Sequence, residues 1–305
     1  MSTSFYSHGK LLLTGEYVVL DGAEALGLPT KFGQKLQVVE TFQKQKITWK
    51  SFLENNEVWL DLEFTWNEKF QFSCATASNE AQKLIEIFNW IARQNSSLFS
   101  VEVGFDFIST LEFPKDWGLG SSSTLVNNLA QWAKVDAFQL QDVAFGGSGY
   151  DVACAQHETP ILFQKKQLQH NIKPVQFNPS FKDELFFVYL NQKQNSRKAI
   201  QHYRSQSPEN VELAIERIHS VTQQILKVSK VEDFEALLKS HEKIIASLLG
   251  QRPIQQQLFA DYPRTIKSLG AWGGDFVLAV GSLKDRTYFQ QKGFETILSY
   301  DEMIL

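Results

Sequence analysis

Cysteine is nearly absent. The two residues in 305, Cys74 and Cys154, are too few for a disulfide framework or a four-cysteine metal site, and read as reduced, buried thiols. Long hydrophobic runs are missing too. Residues 1–10 are polar, the apolar stretch after them is interrupted by Gly15-Glu16, and nothing approaches the ~18 apolar residues that span a bilayer. The expectation is a soluble cytoplasmic protein with no membrane partner. Positive charge is not in surplus: 30 Lys and Arg face 34 Asp and Glu, a formal charge of −4. General nucleic-acid binders carry a basic excess, so nucleic acid is not an expected partner. A local basic pocket for a phosphorylated ligand remains open. No tandem repeat or low-complexity tract stands out.

Core material is plentiful, with 43% hydrophobic residues, 24 Phe and 7 Trp. The length suits one large domain or two domains sharing a cleft. Lys10–Leu20 followed by Asp21-Gly22 reads as two short strands around a tight turn. Segments near 35–49 and 57–65, rich in Val, Thr, Phe and Trp, read as sheet. Over 79–94 the period changes: Ala81, Leu84, Ile85, Phe88, Ile91 and Ala92 fall at helical spacing, with Asn79 as a candidate cap. A strand near 100–108 and a helix over Ser121–Ala133 follow. Strands are expected at 160–164, 185–190, 276–280 and 295–298, and helices near 207–228, 231–249 and 282–292. Strand-rich first half, helix-rich second half and a mixed end predict an α+β protein of two lobes, 1–180 and 181–305.

Between a strand and a helix lies Pro114-Lys115-Asp116-Trp117-Gly118-Leu119-Gly120-Ser121-Ser122-Ser123-Thr124. Glycines let backbone approach a ligand closely, and a following helix offers unpaired N–H groups at its positive end. That chemistry suits the phosphates of a nucleotide, with serine hydroxyls available to phosphate or Mg²⁺. It is not a Walker A loop, because Gly-Lys-Ser/Thr is missing, nor a Rossmann fingerprint, because serines stand where the third glycine belongs. Taken alone, the cluster equally suits a helix start with a flexible lead-in.

The loop resembles the second motif of the GHMP kinases, the family of galactokinase, homoserine kinase, mevalonate kinase and phosphomevalonate kinase, written Pro-x-x-x-Gly-Leu-Gly-Ser-Ser. His8-Gly9-Lys10-Leu-Leu-Leu-Thr-Gly15-Glu16 is similar to the first motif of mevalonate-type members. Gly270-Ala271-Trp272-Gly273-Gly274-Asp275 is similar to the third, and Gly147-Ser148-Gly149-Tyr150-Asp151-Val152-Ala153 resembles the corresponding stretch of phosphomevalonate kinases, closest to a Gly-Tyr-Asp-Ile-Ala subgroup. The four matches stand in family order from residue 8 to residue 276. The resemblance implies the GHMP kinase fold: an N-terminal nucleotide-binding lobe like domain 2 of ribosomal protein S5, with a left-handed βαβ crossover, and a ferredoxin-like C-terminal lobe. It implies an ATP- and Mg²⁺-dependent kinase acting on a small-molecule acceptor, mevalonate or 5-phosphomevalonate first, and allows a homodimer. Another small metabolite as acceptor, or a non-catalytic metabolite-binding regulator on the same fold, stays open beside it.

Carried over residue by residue, the resemblance assigns Asp151 and Lys10 to catalysis. Asp151 would stand beside the acceptor oxygen, and Lys10 would pair with it and approach the transferred phosphoryl group. Taken alone, Asp151 reads first as a helix N-cap, and the motif context reverses that order. Gly118, Leu119, Gly120, Ser121, Ser122 and Ser123 would hold the nucleotide, with Ser121 or Ser122 reaching the metal. Ser148, Gly149, Gly273, Gly274 and Arg197, the last in a cationic loop after a strand, would meet the acceptor. Three positions depart from the family pattern: His8 replaces proline, Trp272 replaces glycine, and Leu140 stands where many members carry a metal-binding glutamate.

Overall fold

The computed structural model describes residues 2–167, 169–192, 196–270, 272 and 274–305, without the side chains at 196–198 and 283. Their backbone packs as two compact units. One comprises the chain up to Gly9, Phe32–Lys115 and Gly120–Gln156; the other Lys10–Lys31, Asp116–Leu119 and His157–Leu305. The strands β1 (Ser2–Thr14) and β2 (Ala25–Thr41) each contribute one end to each unit.

In the first unit β2 is followed by β3 (Lys46–Phe52), β4 (Val58–Trp66), β5 (Phe72–Cys74), helix α1 (Asn79–Gln94) and β6 (Gly104–Leu111). Then come α2 (Ser121–Ala133), α3 (Ala137–Ala144) and α4 (Tyr150–Ala155). β3 pairs antiparallel with β4 and parallel with β6, so the sheet is mixed. The end of β2 runs antiparallel to β6, with Leu36 opposite Ser109. Alternation decides which face is buried. On β4, Leu62, Phe64 and Trp66 point inward while Asp61, Glu63 and Thr65 face water. The inward side chains meet an aromatic core in which Trp49 stacks on Phe107 at 5.2 Å and Trp132 of α2 meets Phe107 edge-on at 4.8 Å. Ser78, not Asn79, caps α1, its hydroxyl accepting from the Ala81 amide at 3.0 Å.

In the second unit the start of β2 pairs with β7 (Ile161–Gln164), which pairs with β8 (Asn171–Pro174). The chain continues through β9 (Leu185–Tyr189), α5 (Ser196–Arg204), α6 (Pro208–Ile225), α7 (Val231–Leu249), α8 (Ile254–Leu258) and β10 (Ile266–Ser268). It ends with β11 (Phe276–Val280), α9 (Arg286–Gln291), β12 (Ile297–Ser299) and α10 (Tyr300–Met303). β10, β11, β9 and β12 form an antiparallel sheet in that order, and all five residues of β11 are buried. α6 and α7 pack together, and α7 also packs against β10. The α+β class is as expected from the sequence. The tight turn expected within 10–20 is different: β1 runs to Thr14, and the chain then enters a short 3₁₀ turn, Val18–Asp21. Gly15 (φ 97°) and Tyr17 (φ 64°) occupy the left-handed region, which ends the strand. Among the described residues no helix is long and apolar enough to cross a membrane.

Candidate active site

Within the second unit, folding brings three of the four motif segments together. The Lys10 amide donates to the Leu119 carbonyl at 2.9 Å, which fixes the first motif against the tip of the glycine loop. Gly118 (φ 68°) lies so close to Asp275 that a Cβ there would stand 2.5 Å from the Asp275 carboxyl carbon. Only glycine meets both the conformation and the approach. The Trp272 amide donates to the Tyr17 hydroxyl at 3.1 Å, joining the first motif to the third. Trp117 packs edge-on against Phe276 at 5.4 Å, and the Tyr189 hydroxyl donates to the Asp116 carbonyl at 3.2 Å. Burial, chiefly, pushes the Tyr17 hydroxyl up to about 12, with the Glu16 and Asp275 carboxylates acting in the same direction. It therefore stays protonated at neutral pH.

Beneath the turn that follows β1 lies a buried set of ionisable groups that reading along the sequence does not reveal. Glu16, His241 and Glu242 of α7 and Lys267 of β10 are each at most 3% exposed. Lys267 Nζ donates to Glu16 Oε1 and, at 2.7 Å, to the Ser268 carbonyl. The Ser268 hydroxyl donates to Glu242 Oε2 at 3.3 Å. His241 Nε2 is 3.0 Å from both Glu16 Oε2 and the Gly15 amide. One ring nitrogen cannot accept from the amide and donate to the carboxylate at once. The Nε2-protonated tautomer satisfies the costlier group, the buried carboxylate oxygen. Burial alone would raise Glu16, but Lys267 and His241 outweigh it and hold its carboxyl below the usual range. Burial pushes Glu242 up to about 8, so it carries a proton at neutral pH. Burial, helped by Lys267, holds His241 below its usual value, and the ring is neutral. The group thus reduces to one ion pair, Glu16⁻ and Lys267⁺, with neutral neighbours.

The first unit carries Gly120, Ser121, Ser122, Ser123, Ser148, Gly149 and Asp151. Gly120, at φ 89°, is the N-cap of α2, and having no side chain it supplies no cap of its own to the helix's first N–H groups. Ser121 is half-buried and Ser122 exposed, whereas Ser123 is buried and its hydroxyl donates to the Gly120 carbonyl at 2.9 Å. Gly149 (φ 90°) is the N-cap of α4. Asp151 is therefore the second helical residue, half-buried, and the capping position belongs to Gly149. Ser148 is buried, its hydroxyl accepting from the Tyr150 amide at 3.4 Å. α2 packs on α4, and the Asn127 side-chain amide of α2 donates to the Ala155 carbonyl at 3.3 Å.

Leu140 is fully buried in the aromatic core, and neighbouring Asp142 is exposed. Among the described residues no three His, Cys, Asp or Glu side chains are grouped as metal ligands. Of the three serines that open α2, Ser121 and Ser122 are at least partly accessible and Ser123 is not. Gly273 and the side chain of Arg197 lie outside the described residues; Gly274 is buried. An open groove of about 600 Å³ between α6 and α7 is lined by none of the residues of the four motifs.

No family model matches the sequence, and neither does any curated protein. Solved structures do match over nearly the whole chain. The mevalonate kinase of Methanococcus jannaschii superposes with a TM-score of 0.70 at 15% identity, covering 98% of this chain and 97% of that one. The galactokinase of Lactococcus lactis, solved with galactose, gives 0.67 at 14% identity over 95% and 88% of the two chains. The phosphomevalonate kinase of Streptococcus pneumoniae, solved with phosphomevalonate and AMPPNP, gives 0.62 at 15% over 97% and 99%. The chain has the GHMP kinase fold. At such identities the likeness concerns the GHMP kinase backbone, and the residues must be argued from their own geometry.

Proposed function

We propose that this protein is an ATP-dependent small-molecule kinase that transfers the γ-phosphoryl group to mevalonate or 5-phosphomevalonate. The observation that carries the reading is the meeting of Lys10, Tyr17, Gly118-Leu119, Trp272 and Asp275 in a chain with the GHMP kinase fold. Phosphoryl transfer depends on positioning and on neutralising phosphate charge. Gly118 and Gly120 give the phosphates close access to backbone, and the amides that open α2 donate to them. Ser121 and Ser122 supply hydroxyls to phosphate or metal, and bound Mg²⁺ supplies charge neutralisation across the phosphates. Lys10 meets the transferred group. Asp151 takes up or orients the acceptor hydroxyl, with Ser148, Gly149, Gly273 and Gly274 shaping the acceptor side. Arg197 pairs with a phosphate on the acceptor, if it bears one.

A second reading, a nucleotide- or metabolite-binding regulator without turnover, is favoured by Leu140, which is committed to the core where a metal-binding carboxylate would stand. ADP production measured against mevalonate, its mono- and diphosphates, sugars and homoserine separates the two. Turnover that depends on one acceptor supports the kinase. Nucleotide binding without turnover against any of them supports the regulator.

A further inference from the structure

Glu16 and Lys267 make an ion pair that solvent and substrate cannot reach, at 1% and 0% exposure. Exchanging a buried pair for apolar residues of similar volume is often neutral or stabilising. Stability therefore gives a weak account of this one. What the pair joins gives a better one. Glu16 lies between the two left-handed residues, Gly15 and Tyr17, of the turn that ends β1. That turn is close-packed, since a Cβ on Gly15 would stand 2.6 Å from Ala25 Cβ. Lys267 is the middle residue of β10, the strand that runs into the loop bearing Trp272 and Asp275. A second tie joins the same two segments, from the Trp272 amide to the Tyr17 hydroxyl. Beyond Trp272, Asp275 rests against Gly118.

We infer that Glu16 and Lys267 are positioning residues for phosphoryl transfer, a buried clamp that holds the turn after β1 and the loop after β10 in register beneath Gly118. This rests on the kinase reading. The pair contacts no reactant and acts through the two backbone segments it joins. His241 sets the Glu16 carboxylate from the α7 side, and protonated Glu242 receives the Ser268 hydroxyl without adding a second buried negative charge. A residue of this kind affects the alignment of reactants more than the binding of either one. Small misplacements of reacting groups cost on the order of 10²-fold in rate.

The test uses the full chain and the paired substitution Lys267→Met with Glu16→Gln, which removes both charges together and nearly keeps volume. With the acceptor that supports turnover, kcat should fall by about 10- to 100-fold while KM for ATP moves by less than about threefold. Amide hydrogen exchange should rise together in residues 14–18 and 269–276 and stay unchanged in α6. Because the paired variant could fail to fold, Tyr17→Phe provides an independent arm. It deletes only the hydroxyl tie, and should loosen the same two segments and lower kcat by a few-fold. Wild-type kcat and wild-type exchange in either folded variant would overturn the clamp, as would a rise in KM for ATP with kcat intact. Failure of the kinase reading looks different: the wild-type chain itself turns over no acceptor. The exchange arm then decides alone, with joint loosening supporting the clamp and unchanged exchange sinking it.

Discussion

Asp151 is second in α4, behind a left-handed glycine that occupies the N-cap position. This position separates chemistry from stability. A carboxylate in a first turn gains about 0.3–1 kcal/mol from the helix dipole, so Asp151→Ala should cost at least about that much in urea unfolding. If Asp151 is the acceptor's base, Asp151→Asn should lower kcat by ~10²–10⁴-fold with ATP affinity unchanged. Near-normal kcat in the Asn variant would remove the catalytic role. Gly118 offers a sharper steric case. Alanine there meets a forbidding φ of 68° and a carboxyl carbon at 2.5 Å. Strain at such positions costs on the order of 1–3 kcal/mol. Gly118→Ala should thus weaken ATP binding in calorimetry and lower the melting temperature. Unchanged affinity would show that the loop tip plays no part in holding the nucleotide.

At the scale of elements, α2 is buried nearly all round, and its polar residues face inward with partners. Asn128 accepts from the Ser7 hydroxyl at 2.8 Å and donates to the Gln34 carbonyl at 2.8 Å. The Thr124 hydroxyl bonds Gln34 Oε1 at 2.5 Å, and the Gln34 amide reaches Ser109 at 2.7 Å. This network seats the start of α2 against β1, β2 and β6. Asn128→Ala strands buried partners and should cost about 1–3 kcal/mol in urea unfolding. A cost below about 0.5 kcal/mol would mean that water replaces the side chain. Leu125, Leu129 and Trp132 made the helix legible in the sequence, and the glycine loop before it was legible by composition. Nothing in the local sequence marks Asn127-Asn128 as buried, because their partners lie 28 to 121 residues away. Lys267 was hidden for a related reason. In a strand with one wet face it would point to water, but both Ile266 and Lys267 are buried, Ile266 in a cluster with Phe186 and Val277. Lys267 has an ion partner 251 residues away. Local periodicity gives element type, and it is silent on pairs of that separation.

At the scale of the whole molecule, the buried ionisable groups set how stability follows pH, and their signs differ. Glu16 and Glu235, Glu235 through Arg264 and Thr265 overcoming its partial burial, are held below the ordinary carboxyl range. Their contribution is present above about 4.5 and is lost as pH falls through their lowered values. His241, held low chiefly by burial, favours the neutral ring, so its contribution is lost as pH falls below 6.5. Glu242 runs the other way. Its folded value of about 8 lies above the usual 4.5, so the folded state keeps a proton that the unfolded state releases. That contribution is fully present below 4.5 and is lost as pH rises toward 8. The charged or titratable groups around Glu242 are Glu16, His241 and Lys267, with Ser268 as its hydrogen-bond donor. Between pH 6.5 and 8 Glu242 is the one of these four shifted acidic and imidazole groups whose proton uptake still differs between folded and unfolded chains. Stability should therefore decline across that window with a slope approaching 1.4 kcal/mol per pH unit, the linkage limit for about one proton. Glu242→Gln keeps the shape and the hydrogen-bond acceptor and removes the titration, so its urea stability should be flat over the same window. A wild-type profile as flat as that of Glu242→Gln would mean that Glu242 is already ionised in the folded protein, and that Lys267 neutralises two buried carboxylates.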